Sequence, residues 1–177
     1  MGGDNLRILI VDDEAGVRAV LRDFLSESYF CETAGSAAEA LAKLREGPFD
    51  LVLSDIRMPG MSGLEMLPLA REAAPEAVVV MVSAEQSIDS ALEAMRAGAY
   101  DYVIKPFDFR QVEAAVARAA EHQALLRAER RHRRDLEELV ARRTEERDRL
   151  ASYDTLTGLP NAPLFQERLE QALTRAS

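Results

Sequence analysis

Residues 5–120 alternate between two hydrophobic periods, and few folds satisfy that alternation. Short apolar or β-rich runs occur at Leu6–Val11, Phe30–Ala34, Leu51–Ser54, Val78–Val82 and Tyr100–Ile104. Between them lie stripes at helical spacing: Val17/Val20/Leu21/Phe24/Leu25, Ala37/Leu41/Leu44, Leu64/Leu67 and Ile88/Ala91/Leu92/Met95. The strand runs are apolar on both faces, as strands are when helices cover both sides of a parallel sheet. Successive βα units with right-handed crossovers predict an α/β fold, a doubly wound five-stranded parallel sheet.

In such a sheet, ligands bind at the carboxyl ends of the strands, beside the switch in strand order. The polar residues of the chain fall there. The first strand runs into Asp12-Asp13, the third into Asp55, the fourth into Ser83 and the fifth into Lys105. Carboxylates crowded at a core edge repel one another and lose solvation, so they need compensation. A divalent cation with a preference for hard oxygen ligands, Mg²⁺ above all, supplies it and commonly shares its coordination with phosphate oxygens. Lys105 adds a compact positive charge and Ser83 a hydroxyl for an arriving phosphoryl group, whose transfer needs positioning and charge neutralisation. Asp55, alone at a central strand end, is the candidate nucleophile, because a carboxylate can form an acyl phosphate. Each residue also has a structural reading: Asp12, Asp13 and Ser83 suit helix caps, Asp55 a turn, and Tyr102 a packed edge aromatic.

Four stretches, "ILIVDDE", "LVLSDIRMPGMSGLEML", "VVMVSAE" and "AGAYDYVIKPF", resemble in order the signature regions of response-regulator receiver domains. The resemblance covers roughly residues 5–120 and implies a flavodoxin-like sheet of order 2-1-3-4-5, the doubly wound order cited for a chemotaxis member of that family. It implies that Asp55 accepts a phosphoryl group from a histidine kinase or phosphotransfer protein. It further implies that Asp13, Asp55 and the main-chain carbonyl of Arg57 ligate Mg²⁺, with Asp12 acting through water. Ser83 and Lys105 would hold phosphoryl oxygens, Tyr102 would be the switch aromatic, and small Ala84 would leave the group room to enter. The Arg57 side chain, two residues past the acceptor, is expected to overhang the site.

From Phe107 to Thr157 there is neither Gly nor Pro, and Ala, Leu, Glu and Arg dominate, which predicts a helix from about Arg110 to Ala151. At 1.5 Å per residue it would be roughly 60 Å long. Val112, Ala115, Val116 and Ala119 can lie on the sheet; the rest must find another partner. Two heptad seams compete: Val112, Ala119, Leu126 and Val140 with Ala115, Leu136 and Leu150, or Leu136 and Leu150 with Leu125, Leu139 and Tyr153. Both are interrupted by charged residues such as Arg133 and Arg143, so the expected coiled coil is a modest parallel pair joining two chains through residues 121–153. Two packings close in energy would also suit a switch.

The stretch "YDTLTGLPNAPLF" resembles the opening of a GGDEF diguanylate cyclase domain. Asp154, Leu156, Thr157, Gly158, Leu159, Asn161 and Phe165 match, while Ala162 stands where arginine is common. The helix is expected to stop at Gly158 and Pro160, with a new amphipathic stretch at Phe165, Leu169 and Leu173. Asn161 would contribute to guanine recognition only in a complete domain, so these 177 residues are not expected to be an enzyme or to make cyclic di-GMP. The expected organisation is a receiver at 1–120, a signalling helix at 121–153 and a truncated GGDEF start at 154–177.

Alternative outputs are a DNA-binding transcriptional regulator and a coiled-coil adaptor. Residues 1–120 hold 11 Lys/Arg against 20 Asp/Glu, a net charge of −9, which disfavours nucleic acid as a partner. Neither His122 nor His132 is followed by an acid, so neither resembles a kinase phosphate carrier, and both read as solvent-facing. No basic region leads into an apolar one near Met1, and the longest wholly apolar stretch, Ala77–Val82, is far short of a bilayer span. The single cysteine, Cys31, suits a reducing cytoplasm.

Overall fold

The computed structural model describes residues 6–84, 87–154, 157 and 159–175. Two compact units divide the chain, Met1–Arg127 and Ala128–Ser177. The first is an alternation of strand and helix: β1 (Arg7–Val11), α1 (Ala15–Leu25), β2 (Phe30–Ala34), α2 (Ala37–Glu46), β3 (Leu51–Asp55), α3 (Gly63–Ala73), β4 (Val78–Ser83), α4 (Ile88–Ala97) and β5 (Asp101–Ile104). A helix α5 follows over Phe109–Ser152, and α6 spans Ala162–Arg175. All strand pairs are parallel, and the sheet order is β2-β1-β3-β4-β5.

Alternation along the strands builds two cores. Leu9, Val11, Val52, Val79 and Met81 face α2, α3 and α4, where Leu41, Leu44, Met66 and Leu67 meet them. Ile8, Ile10, Leu51, Leu53, Val80 and Val82 face the opposite way, onto Leu21 and Leu25 of α1 and Val112, Ala115, Val116 and Ala119 of α5. This is why β1 and β3 carry aliphatic residues at successive positions: each side chain is buried whichever face it takes. Helix starts are fixed by serines. Ser36 and Ser87 accept from Glu39 N–H and Asp89 N–H, and Ser62 with Glu65 forms a reciprocal capping box.

The first unit ends in an ion pair between buried Asp50 and half-buried Arg127. Asp50, 5 % exposed just before β3, accepts from the main-chain N–H of Arg7 at 2.8 Å and from the Arg127 guanidinium on α5. One turn earlier, Gln123 is buried with neither amide atom partnered among the described residues, and His122 stacks on Tyr100 at 4.7 Å. His122 is therefore half-buried against an aromatic ring rather than solvent-facing; His132 is exposed.

In the second unit, Tyr153 and Pro160 form an antiparallel bridge, and Asp154 accepts from both the N–H and the hydroxyl of Thr157. Asn161 caps α6 by accepting from Leu164 N–H at 3.1 Å and donates its amide to the Ala151 carbonyl. Its side chain is thus engaged in closing the turn between two helices. Leu156, Gly158 and the side chain of Leu150 lie outside the described residues. No helix among the described residues is long and apolar enough to cross a membrane.

Candidate functional site

Three carboxylates meet at the carboxyl edge of the sheet. Asp12 follows β1 and Asp55 ends β3, its central neighbour, so adjacent parallel strands deliver both acids to one edge. One ligand oxygen from each of Asp12, Asp13 and Asp55 lies within 4.8 Å of the others. Asp12 and Asp55 are buried, at 1 % and 7 % exposure, whereas Asp13 is exposed. Lys105 arrives from the end of β5, with Nζ 2.7 Å from Asp12 Oδ2 and 3.4 Å from Asp55 Oδ2. Its backbone is tied down by donation from Lys105 N–H to the Ser83 carbonyl at 2.6 Å, and the Lys105–Pro106 peptide is cis.

The electrostatics follow from the burial. Loss of solvation raises the Asp55 carboxyl above its ordinary range; Lys105 opposes this and the Asp12 charge reinforces it. For Lys105, burial acts to lower the ammonium pKa, but the hydrogen bond to Asp12 and the charges of Asp55 and Asp12 outweigh it, and the net direction is up. One lysine thus holds two acids while the third faces water. Hard oxygen donors in excess of the local positive charge are the donor set that Mg²⁺ favours.

Asp12 is not the cap of α1, which is Glu14, but its side chain sits between that cap and the lysine. Its Oδ1 accepts from the N–H of Glu14, the residue that caps α1, while its Oδ2 takes Lys105. Ser83 is buried at the end of β4, one residue past Val82, the strand partner of Asp55; the cap of α4 is Ser87 rather than Ser83. Tyr102 is half-buried, packs against the core beneath α2–α4, and lines a groove of about 650 Å³ with Ile104, Pro106 and Arg118. Arg57 is exposed in the loop after β3, and Ala84 lies exposed just beyond Ser83.

Two residues at this edge were not singled out from the sequence. Gly63, the first residue of α3, donates its N–H to the Ile56 carbonyl at 2.8 Å, and a Cβ there would lie 2.1 Å from the Asp55 carbonyl oxygen. Arg18 of α1 reaches back to donate to the Asp12 carbonyl at 2.5 Å. A glycine directly after the capping serine of "MSGLE" was the visible signal for the first. Arg18 offered none, since it reads as one charge on a solvated helix face.

A 2-1-3-4-5 parallel sheet with acids and a lysine at its carboxyl edge is the architecture of a receiver domain. The chain belongs to that family: the response regulator receiver domain model matches residues 8–117. It is thus the receiver of a two-component response regulator. Among curated relatives, the transcriptional regulatory protein ZraR of Klebsiella oxytoca is 39 % identical over 126 residues, which is 71 % of this chain and 28 % of that protein. The DNA-binding transcriptional regulator NtrC of Escherichia coli K12 is 39 % identical over 116 residues, 65 % of this chain and 25 % of that protein. The chain therefore spans under a third of the length of these relatives. The names of both leave the expectation of no nucleic-acid partner without support.

Solved structures agree with the fold. That of an adenylate cyclase from Rhodopirellula baltica superposes with a TM-score of 0.68 at 32 % identity, covering 77 % of this chain and 98 % of that one. The response regulator TrrA of Thermotoga maritima, in complex with Mg²⁺ and BeF, gives 0.58 at 38 % identity, covering 64 % and 98 %.

Proposed function

We propose that Asp55 is the phosphoacceptor of this receiver and that its phosphorylation, by a histidine kinase or phosphotransfer protein, is relayed through α5 to an output domain. The observation that carries this reading is the convergence of Asp12, Asp13 and Asp55 on one edge with Lys105 between two of them. In the proposed step an Asp55 oxygen attacks phosphorus, a new P–O bond forms, and the donor's bond to phosphorus breaks as its leaving group departs.

Asp13, Asp55 and the Arg57 carbonyl would hold Mg²⁺, with Asp12 acting through water; once bound, the ion would neutralise charge on the phosphoryl oxygens. Lys105 can release Asp55 Oδ2, already the longer of its two contacts, and turn to a phosphoryl oxygen while keeping Asp12. Ser83 supplies a hydroxyl beside it, Ala84 leaves space, and Tyr102 responds by rotating.

Residues 1–120 act as the receiver, 121–153 as a homodimeric coiled-coil helix and 154–177 as the start of a GGDEF domain. Exposed Leu125, Leu136, Leu139 and Val140 on α5 support the paired helix. A diguanylate cyclase output is supported by the "DTLTGLPN" motif. The structural similarity to an adenylate cyclase of Rhodopirellula baltica supports the broader class of nucleotide cyclase. The second reading, a transcriptional output, is favoured by the names of the two curated relatives. Either output places the protein in the cytoplasm.

Incubation with acetyl phosphate and Mg²⁺, followed by intact-mass and peptide mapping, tests the central step. One phosphate should appear on Asp55 and be absent from Asp55→Asn. A folded wild-type chain that never gains the mass refutes it.

A further inference from the structure

Asp12 has a partner for each of its polar atoms. Its N–H donates to the Ala34 carbonyl at 3.2 Å, Oδ1 accepts from Glu14 N–H at 2.9 Å, and Oδ2 accepts from Lys105 at 2.7 Å. The fourth, its main-chain carbonyl, accepts from Arg18 Nη1 at 2.5 Å. That last bond is the unexpected one. Arg18 is half-buried next to the Asp12 main chain, yet among the described residues no carboxylate lies within ion-pair distance of it. A guanidinium is a strong bidentate partner for carboxylates, so its placement on a neutral carbonyl is set by geometry. The guanidinium lies against Gly35, just past the end of β2, where a Cβ would meet three of its atoms at 3.5 Å, an ordinary van der Waals contact.

The carbonyl that Arg18 holds belongs to the peptide joining Asp12 to Asp13. With the Asp12 N–H, carbonyl and side chain all fixed, the direction in which the chain enters Asp13 is fixed as well. Asp13 is the exposed member of the acid cluster and has the least of its own to hold it. We propose that Arg18 is a positioning residue of the acid site, which holds the Asp12–Asp13 peptide so that the Asp13 carboxylate converges with Asp55 on a divalent cation. This rests on the Mg²⁺ reading above.

A positioning role and a bare charge make opposite demands. If Arg18 mattered only as a positive charge near the acid site, its removal would tighten Mg²⁺ binding. If it holds the peptide, removal frees Asp13 and weakens binding, by roughly tenfold for the loss of an outer partner of a metal ligand. The sign decides between them.

The test is calorimetric titration of the full chain with Mg²⁺, using wild type, Arg18→Met and Arg18→Lys, with thermal melts as the control for folding. Arg18→Met should bind roughly tenfold more weakly, and Arg18→Lys, which keeps a donor, should fall between it and wild type. Arg18→Gln is the second neutral variant should the methionine substitution compromise the fold. In metal-free protein, the amide NMR signals of Asp13 and Glu14 should shift in the neutral variants while those of the Asp50 region stay in place. Unchanged or tighter Mg²⁺ binding in a folded neutral variant overturns the proposal. A wild-type chain with no saturable Mg²⁺ binding overturns the metal reading itself, and this inference with it.

Discussion

The two units differ in burial: the first has a core, while no described residue of the second is buried. In the first, charged groups are drawn inside and partnered: Asp12 and Asp55 share Lys105, and Asp50 takes Arg127 and the Arg7 N–H. In the second, it is the apolar side chains that stand in solvent, with Leu139, Val140, Leu159, Phe165 and Leu173 each more than half exposed. Buried charge without a partner is costly, so the first unit must be internally complete. Exposed aliphatic residues at helical spacing carry no such penalty but point to surface yet to be covered.

The sharpest way to break that contrast is to damage the first unit where it has no slack. Gly63→Ala places a methyl group 2.1 Å from the Asp55 carbonyl oxygen, so either α3 or the end of β3 must move. The expected loss is about 1–3 kcal/mol, the range for overpacking at a rigid contact. It is read from thermal or urea melts. Phosphorylation of Asp55 should slow along with it, because the same peptide carries the acceptor. A neutral result would show that the loop is softer than its contacts imply.

Metal addition probes the same completeness from the other side. If the acid edge holds Mg²⁺, saturating it at ten times Kd stabilises the fold by about 1.4 kcal/mol, a rise of a few degrees in Tm. Asp13→Asn should abolish that rise while leaving the metal-free Tm near wild type, since Asp13 is exposed. An equal rise in the variant would move the ion away from Asp13.

Asp55 links stability to pH. Burial raises its carboxyl above the unfolded value, so folding favours the protonated form. The resulting stabilisation is complete below the unfolded carboxylate range and is lost as pH rises through the folded value. At pH 7 the ionised acid therefore costs stability, and Asp55→Asn should raise Tm by a small but measurable amount. The gap should close as pH falls toward about 4, the ordinary carboxylate range. A gap that widens on acidification would mean that Lys105 outweighs burial.

What was legible in the sequence follows the same division. Strands, helices and the residues at strand ends were readable, because a parallel sheet buried on both faces leaves polar residues few other places to go. Asp12, Asp55 and Lys105 fell where that logic put them. Gly63, Arg18 and the Asp50–Arg127 pair were not readable as a set, since each takes its meaning from a contact across distant turns. Asp50 and Arg127 are 77 residues apart. His122 was misjudged for the same reason: a helix pattern shows which face a residue takes, but Tyr100 lies on another element.

The smallest expected effect on stability is the most informative about the second unit. Leu139 is 54 % exposed and Val140 64 %, so replacing either with Glu removes little buried surface from a single chain. Such surface changes usually lie within about 0.5 kcal/mol, and the main melting transition should not move. Self-association is another matter. If residues 121–153 pair two chains, Leu139→Glu puts a charge into the seam, and light scattering should show the mass falling toward that of one chain. Two outcomes would count against this difference between the units. A drop in Tm at low concentration would mean that the side chain is covered within its own chain. An unchanged mass would mean that chains are held together elsewhere, and that the exposed stripe awaits a different partner.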